Sequence, residues 1–277
     1  MPHDANSQAS AREQPHTGEQ PSVAVLISMG RHPLTGRARR ADQDARAVEM
    51  ALSLSDAQPS LLHAGHFDHD SEAALRAYLG MGFDALELIE QEPGADVISA
   101  LSDRLREAAP QLVLTGARAE TGEGSGLLPY LLADALGWPI VTSLASIECI
   151  EQGEATLLQA LPRGQRRRLR VRLPAIVTVD SSAPAARQSA FGPARRGVFE
   201  RVAHASVQDA AFAEWDVQPA RKRPKRLKIV KATSARDRFK AAAAKAEGGG
   251  GQVLADVTPE QGAEAIFKLL QEEGVLR

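Results

Sequence analysis

Ser22-Val-Ala-Val-Leu-Ile-Ser28 is an unbroken apolar run closed at each end by serine. A strand with one wet face alternates apolar and polar residues, whereas a continuous run implies burial on both faces, as in a parallel sheet covered by helices. We read it as the first strand. After a Gly/Arg/Pro loop from Gly30 to Arg40, the segment Asp42 to Leu54 sets Ala45, Val48, Ala51 and Leu52 near helical spacing, with Asp42 as a candidate N-cap. The pair then recurs: strand Ser60 to Gly65, helix Glu72 to Met81 stopped by Gly82, strand Ala85 to Ile89, helix Asp96 to Ala108. Strand Gln111 to Thr115 and helix Leu127 to Leu136, ended by Gly137 and Pro139, follow. Such alternation predicts an α/β fold, a mostly parallel sheet built by right-handed crossovers with helices on both faces.

From Ser146 the texture changes. Ser146 to Ile150, Ala155 to Gln159 and Arg168 to Arg172 are short and partly alternating, which predicts an antiparallel excursion before a last buried strand at Pro174 to Val179. Beyond Asp180 the apolar density falls, and Pro, Ala and Arg dominate up to a Gly248 to Gly251 spacer and one further helix, Thr258 to Glu273. The expected organisation is a disordered polar tail (1–21), an α/β nucleotide-binding domain (22–190), and an extended C-terminal arm with its helix (191–277).

Composition narrows the function. The chain has 277 residues, 43% of them hydrophobic, which is enough for one substantial core. A net charge of -2 gives no global reason to expect nucleic acid or a membrane surface. Cys149 stands alone, which excludes an internal disulfide, a cysteine zinc site and a cysteine-ligated cluster, and fits a cytoplasmic protein. No apolar run reaches the roughly 18 to 20 residues that a membrane helix needs.

The stretch most suggestive of chemistry is Gly116-Ala-Arg-Ala-Glu-Thr-Gly-Glu-Gly-Ser-Gly126, which follows a strand and opens a helix. Backbone amides in such a place can hold a phosphate beyond the carboxyl ends of the strands. Its glycines match neither the dinucleotide nor the Walker spacing, so composition leaves both a phosphate loop and a plain flexible loop open. The arginines from Arg163 to Arg172 alternate with Leu and Val and read as the solvated face of a hairpin. Arg221 to Arg226 reads as a basic stretch in the arm. His63, His66 and His69 with Asp68 and Asp70 suggest a metal site less than a polar loop after a strand, and no catalytic nucleophile or paired carboxylate stands out.

Several stretches, in consistent order, resemble the electron-transfer flavoprotein beta (small) subunit family. Asp44-Ala-Arg-Ala-Val-Glu49-Met-Ala-Leu52 is similar to its first-helix pattern, and Leu75 to Asp84 to its Ala-x-x-Met-Gly-Ala-Asp segment. The Gly-rich loop followed by Leu-Ala-Asp-Ala-Leu-Gly-Trp-Pro139 and Val-Thr-Ser-Leu-Ala-Ser-Ile147 is the most specific part. Leu173-Pro-Ala-Ile-Val-Thr-Val-Asp180 and the C-terminal helix from Thr258 also match. The Gly30 to Arg40 stretch resembles bacterial members linked to catabolism of methylated glycines such as dimethylglycine.

The resemblance implies a Rossmann-like, adenine-nucleotide-hydrolase-like fold and a heterodimer. The larger alpha subunit would hold most of the FAD, and this subunit would bind AMP structurally without catalytic residues of its own. A flavin dehydrogenase would donate electrons and a membrane quinone reductase would accept them. Carried over by position, the nucleotide contacts fall at Ser28, Asp44, Ala64, Gly65, Gly116, Ala117, Thr121, Gly122, Glu123, Gly124, Ser125 and Gly126. Partner docking falls at Ser182, Ala183, Pro184 and Arg187, with Ala183 where the family carries a leucine anchor. The arm would wrap the alpha subunit. Ala41-Asp-Gln43 replaces the family's Asn-Pro-Phe, and Glu123-Gly124 stands in place of an Asp-rich pattern. A second FAD in place of AMP, or a free-standing adenine-nucleotide sensor of the universal-stress type, are the competing expectations.

Overall fold

The computed structural model describes residues 20–122, 124–216, 218, 234–236 and 254–272. The expected polar tail up to residue 19, Glu123, the Arg221 to Arg226 cluster, the Gly248 to Gly251 spacer and Glu273 lie outside the described residues.

Every apolar run assigned to a strand forms one. In chain order the elements are β1 (Ser22–Leu26), β2 (Met29–Arg31), β3 (Ala38–Arg40), α1 (Asp42–Leu52), β4 (Gln58–Gly65), α2 (His69–Leu79) and β5 (Ala85–Glu90). Then come α3 (Val97–Ala108), β6 (Leu112–Gly116), α4 (Leu128–Leu136), β7 (Ile140–Glu151), β8 (Glu154–Ala160), β9 (Arg166–Arg172) and β10 (Ala175–Val179). The described chain ends with α5 (Phe191–Arg196), β11 (Val198–Arg201), α6 (Ala210–Ala213) and α7 (Pro259–Glu272).

The main sheet runs β11-β5-β4-β1-β6-β10-β7-β8-β9. All neighbours are parallel except β7 with β8 and β8 with β9, so the antiparallel excursion is an extension of the same sheet. Along β1 the side chains alternate between two cores: Val23 and Val25 pack with Val48, Tyr78 and Leu114 on the α1/α2 face, while Ala24 and Leu26 pack with Leu101, Leu105 and Leu132 on the α3/α4 face. That double burial is the reason the run carries no polar residue.

β1 lies between β4 and β6, and the chain leaves it first toward β4 and β5 and later returns to β6 on the other side. The sheet therefore has a topological switch point at the carboxyl ends of β1 and β6, where helices and loops diverge and leave a crevice.

Four local differences from the sequence reading have physical causes. Asp42 is the first residue of α1 and not its cap; the N-cap is Ala41, with no side-chain bond, and the free Asp42 amide donates to Glu120 Oε1 at 2.8 Å. A carboxylate from the Gly-rich loop thus supplies the cap from outside the helix. α2 begins at His69, because Asp68 and Ser71 form a reciprocal capping box. β7 begins at Ile140: its first half pairs with β10 and its second with β8, and the register shifts near Ser143, whose φ of 57 breaks the strand direction. Lastly, Phe191 to Arg201 is not free arm. β11 adds to the sheet edge beside β5, where Phe199 meets Phe67 edge-on at 5.4 Å and the Arg76 guanidinium covers its other neighbourhood at 4.8 Å. Backbone pairing of this kind leaves almost no trace in composition. The compact unit accordingly continues to Trp215, past the boundary expected at 190.

The arginines of β9 face solvent, Arg168 pairing with Glu148, while Leu169 and Val171 turn inward. Residues 216–277 form a separate unit. In it α7 opens with Thr258 and Gln261 bonded reciprocally, Thr258 N–H donating to Gln261 Oε1 at 3.0 Å, which is the capping pattern Thr-x-x-Gln encodes. None of the described helices is long and apolar enough to cross a membrane.

Candidate functional site

The crevice at the switch point is organised by one buried carboxylate. Asp44, in the first turn of α1, is 4% exposed and points at the ends of two strands. Its Oδ2 accepts from Ser28 N–H at 2.8 Å and from the Ser28 hydroxyl at 2.6 Å; its Oδ1 accepts from Gly116 N–H at 3.0 Å. Three donors are thereby shared between the chain just after β1 and the end of β6. Burial pushes the Asp44 carboxyl up to about 6, against the opposing pull of the Ser28 and Gly116 donors. Gly116 must be glycine here, since a Cβ would stand 2.3 Å from Asp44 Oδ1.

Neighbouring contacts extend this node. Gln43 Oε1 accepts from Ala117 N–H at 3.0 Å. Tyr78, fully buried, accepts at its hydroxyl from Ala41 N–H at 2.7 Å and donates to Ser28 O at 2.9 Å. Glu120 receives the Asp42 amide and also pairs with Arg39 at 2.8 Å, while the Thr121 hydroxyl donates to Met29 O at 2.9 Å. The Gly-rich loop is therefore tied by its side chains to β2, β3 and α1.

Within that loop Gly122, Gly124 and Gly126 have φ of 73, 62 and 78. Left-handed glycines along a loop turn backbone N–H groups toward a common concavity, a geometry that suits an anion. Gly126 is also pressed against the Ala117 carbonyl, so that a Cβ would lie 3.0 Å from its oxygen. Together the loop, the N-terminus of α4 and the ends of β1, β4 and β6 enclose a cleft of about 480 Å³.

The positions carried over from the family resemblance fall around this cleft. Ser28, Asp44, Ala64, Gly65, Gly116, Thr121, Gly122, Gly124, Ser125 and Gly126 line it. Ala117 stands behind, its amide held by Gln43, and Glu123 is outside the described residues. Because both oxygens of Asp44 are engaged by the chain itself, its place is to hold the strand ends together. Arg118, His63, Asp96 and Phe212 also line the cleft, although none was among the positions carried over to the nucleotide site. Phe212 arrives from the segment after the sheet, fixed there by Asp96 N–H donating to Val207 O at 2.7 Å and Asp209 N–H to Gly94 O at 3.2 Å. Nothing local in the sequence marks that return.

The docking positions behave differently. Ala183 is 3% exposed and packs into the protein's own core, while Ser182, Pro184 and Arg187 are exposed. The segment is pinned to α1: Arg46 donates to Ala183 O, and Arg187 reaches Glu49 through Nε at 2.8 Å, NH2 at 3.0 Å and its backbone N–H at 3.0 Å. The His63, His66 and His69 group gathers no metal cluster, and among the described residues no three His, Cys, Asp or Glu side chains are placed to hold an ion.

The model of the electron transfer flavoprotein domain matches residues 35–207, which takes in Asp44 and Gly116, the loop and the pinned segment. The chain belongs to the electron transfer flavoprotein family. A Chromohalobacter salexigens protein named electron transfer flavoprotein subunit beta is 68% identical over 266 residues, 95% of this chain and 100% of that protein. A Syntrophomonas wolfei protein of the same name is 30% identical over 141 residues, 49% of this chain and 54% of its own. Full-length similarity to the first sets this electron transfer flavoprotein chain on the beta-subunit side of the family.

Proposed function

We propose that the chain is the beta subunit of a heterodimeric electron-transfer flavoprotein, which carries electrons from a flavin dehydrogenase toward the respiratory quinone pool. The larger alpha subunit holds most of the FAD, which supplies the redox chemistry when bound. This chain holds AMP as a structural ligand in the cleft at the β1/β6 switch point and completes the flavin site by its surface.

The observation that carries the reading is the cleft itself. Its loop end offers left-handed glycine amides and the start of α4 to a phosphate, and its floor offers Leu26, Leu62, Ile98 and Leu101 to a base. Arg118 lines the cleft and forms no ion pair with a described residue, so its charge is available to a phosphate. Ser182, Pro184 and Arg187 form the exposed part of the segment proposed to meet the dehydrogenase.

Co-expression with the alpha subunit, size exclusion and identification of the released nucleotides test this. A yellow one-to-one complex with one FAD and one AMP is the expected result. Two FAD would replace the AMP part of the reading, and a colourless homodimer holding an adenine nucleotide would favour a sensor instead. Arg118→Gln should weaken AMP rebinding to the nucleotide-stripped complex roughly tenfold, the value of one charge-assisted hydrogen bond. Raising salt should narrow the gap. Equal affinities at low salt would remove Arg118 from the phosphate site.

A further inference from the structure

His63, near the end of β4, is 7% exposed and lies on the wall of the cleft. Its Nδ1 stands 2.8 Å from the carbonyl oxygen of Ile27. A carbonyl oxygen can only accept, so Nδ1 carries a proton and donates it. Burial pushes the imidazole below its ordinary range, which keeps the ring neutral at pH 7. A neutral ring with its proton on Nδ1 has a bare lone pair on Nε2.

That nitrogen has no hydrogen-bond partner among the described residues. Gly65 leaves it uncovered: a Cβ built on Gly65 would lie 3.2 Å from Nε2, over the face where the two residues meet the cleft. Leu26, Leu62 and Leu101 share the lining. An acceptor set among apolar groups is costly when unpaired and strongly discriminating when a ligand brings the matching donor.

We propose that His63 Nε2 is a specificity-determining acceptor that takes a hydrogen bond from the exocyclic amine of an adenine ring and rejects purines bearing a carbonyl there. This rests on the nucleotide reading of the cleft and adds to it the residue that reads the base. A carbonyl at the same place sets two acceptors against each other, and a purine with hydrogen there leaves Nε2 unpaired.

Calorimetric titration of the nucleotide-stripped complex with AMP, with IMP and with purine riboside monophosphate tests the assignment. The wild type should prefer AMP over IMP by about tenfold to a hundredfold, the range for one hydrogen bond made against one left unsatisfied. Two variants separate base reading from a structural role. In His63→Asn the side-chain amide reaches where Nδ1 stands, keeping the Ile27 bond while removing the acceptor. In His63→Gln the amide reaches where Nε2 stands and retains it. The expected result is that Asn brings the AMP-to-IMP ratio close to one by loss of AMP affinity, while Gln keeps the AMP affinity and, because its amide can turn its NH2 toward a carbonyl, binds IMP more tightly than the wild type does. A purely structural His63 would give the reverse order and overturn the proposal, as would a wild type that binds AMP and IMP equally. Should the wild type bind none of the three nucleotides, the nucleotide reading of the cleft falls, and the base-reading role with it.

Discussion

Asp44→Ala is expected to lower the stability of the chain by about 2–4 kcal/mol, because it strips the common acceptor from two backbone amides and a hydroxyl at a buried junction. Ser28 N–H and Gly116 N–H belong to neighbouring strand ends, and Asp44 accepts from both. In thermal unfolding this corresponds to a fall of roughly 6–10 °C for a chain of this size. Gly116→Ala should act on the same node from the other side, since its Cβ would displace Asp44 Oδ1 from 2.3 Å. The pH dependence separates charge from hydrogen bonding. Burial raises the Asp44 carboxyl from 3.8 to about 6, so between those values the folded protein holds a proton that the unfolded chain has released. The contribution is thus fully present below the unfolded value and is lost as pH rises through the folded one, after which it stays flat. Asp44→Asn keeps one acceptor and cannot titrate. Urea denaturation across this window should show a decline for the wild type that the Asn variant lacks. A wild-type melting temperature for Asp44→Ala would show that the strand ends are held by something else.

The double-sided burial of the sheet was readable because it left whole apolar runs; the strand order that creates the switch point was not, because alternation of strands and helices does not fix which strands pair. The content of the site was readable only in part. An acidic residue at 44 and glycines at 116, 122, 124 and 126 stand out in the sequence, yet the bond from Asp44 to Gly116 spans 72 positions and no pattern announces it. The same is true of Glu120 capping α1 from 78 residues away. His63 illustrates a second kind of blindness. In the sequence it sits with His66 and His69 and invites comparison with a metal site, but it turns inward from β4 to Ile27 while His66 stays in the loop and His69 opens α2. By contrast Asp68 with Ser71 was a legible start of α2, obscured because the same residues are polar enough to read as loop. The return of residues 198–212 to the sheet edge and the cleft rests on main-chain bonds, which any sequence can make and composition does not mark.

The pinned segment after β10 yields the second large effect, which is kinetic. Glu49→Ala should speed tryptic cleavage after Arg187 by roughly tenfold or more, because the local opening that exposes this bond is opposed mainly by contacts to that one carboxylate. Glu49 receives the Arg187 side chain through two nitrogens and its backbone amide as well, and this pairing holds the Glu49 carboxyl below its ordinary value. An isolated exposed ion pair would contribute little, but here Glu49 is more buried than its partner, with side-chain exposures of 15% against 46%, and the pairing is bidentate. Arg40 adds a bond to Arg187 O at 2.7 Å. An unchanged cleavage rate in Glu49→Ala would mean that the burial of Ala183 alone fixes the segment. The distinction bears on docking. With Ala183 turned into the core, the segment has no apolar side chain of its own to insert into a partner at that position. What it presents is a fixed edge of Ser182, Pro184 and Arg187, and a surface already held in one conformation loses less entropy when it binds. If the segment docks a dehydrogenase as proposed, loosening the clamp should therefore weaken that association even though Glu49 stays behind the contact, whereas a segment that docks by rearranging would be indifferent to its loss.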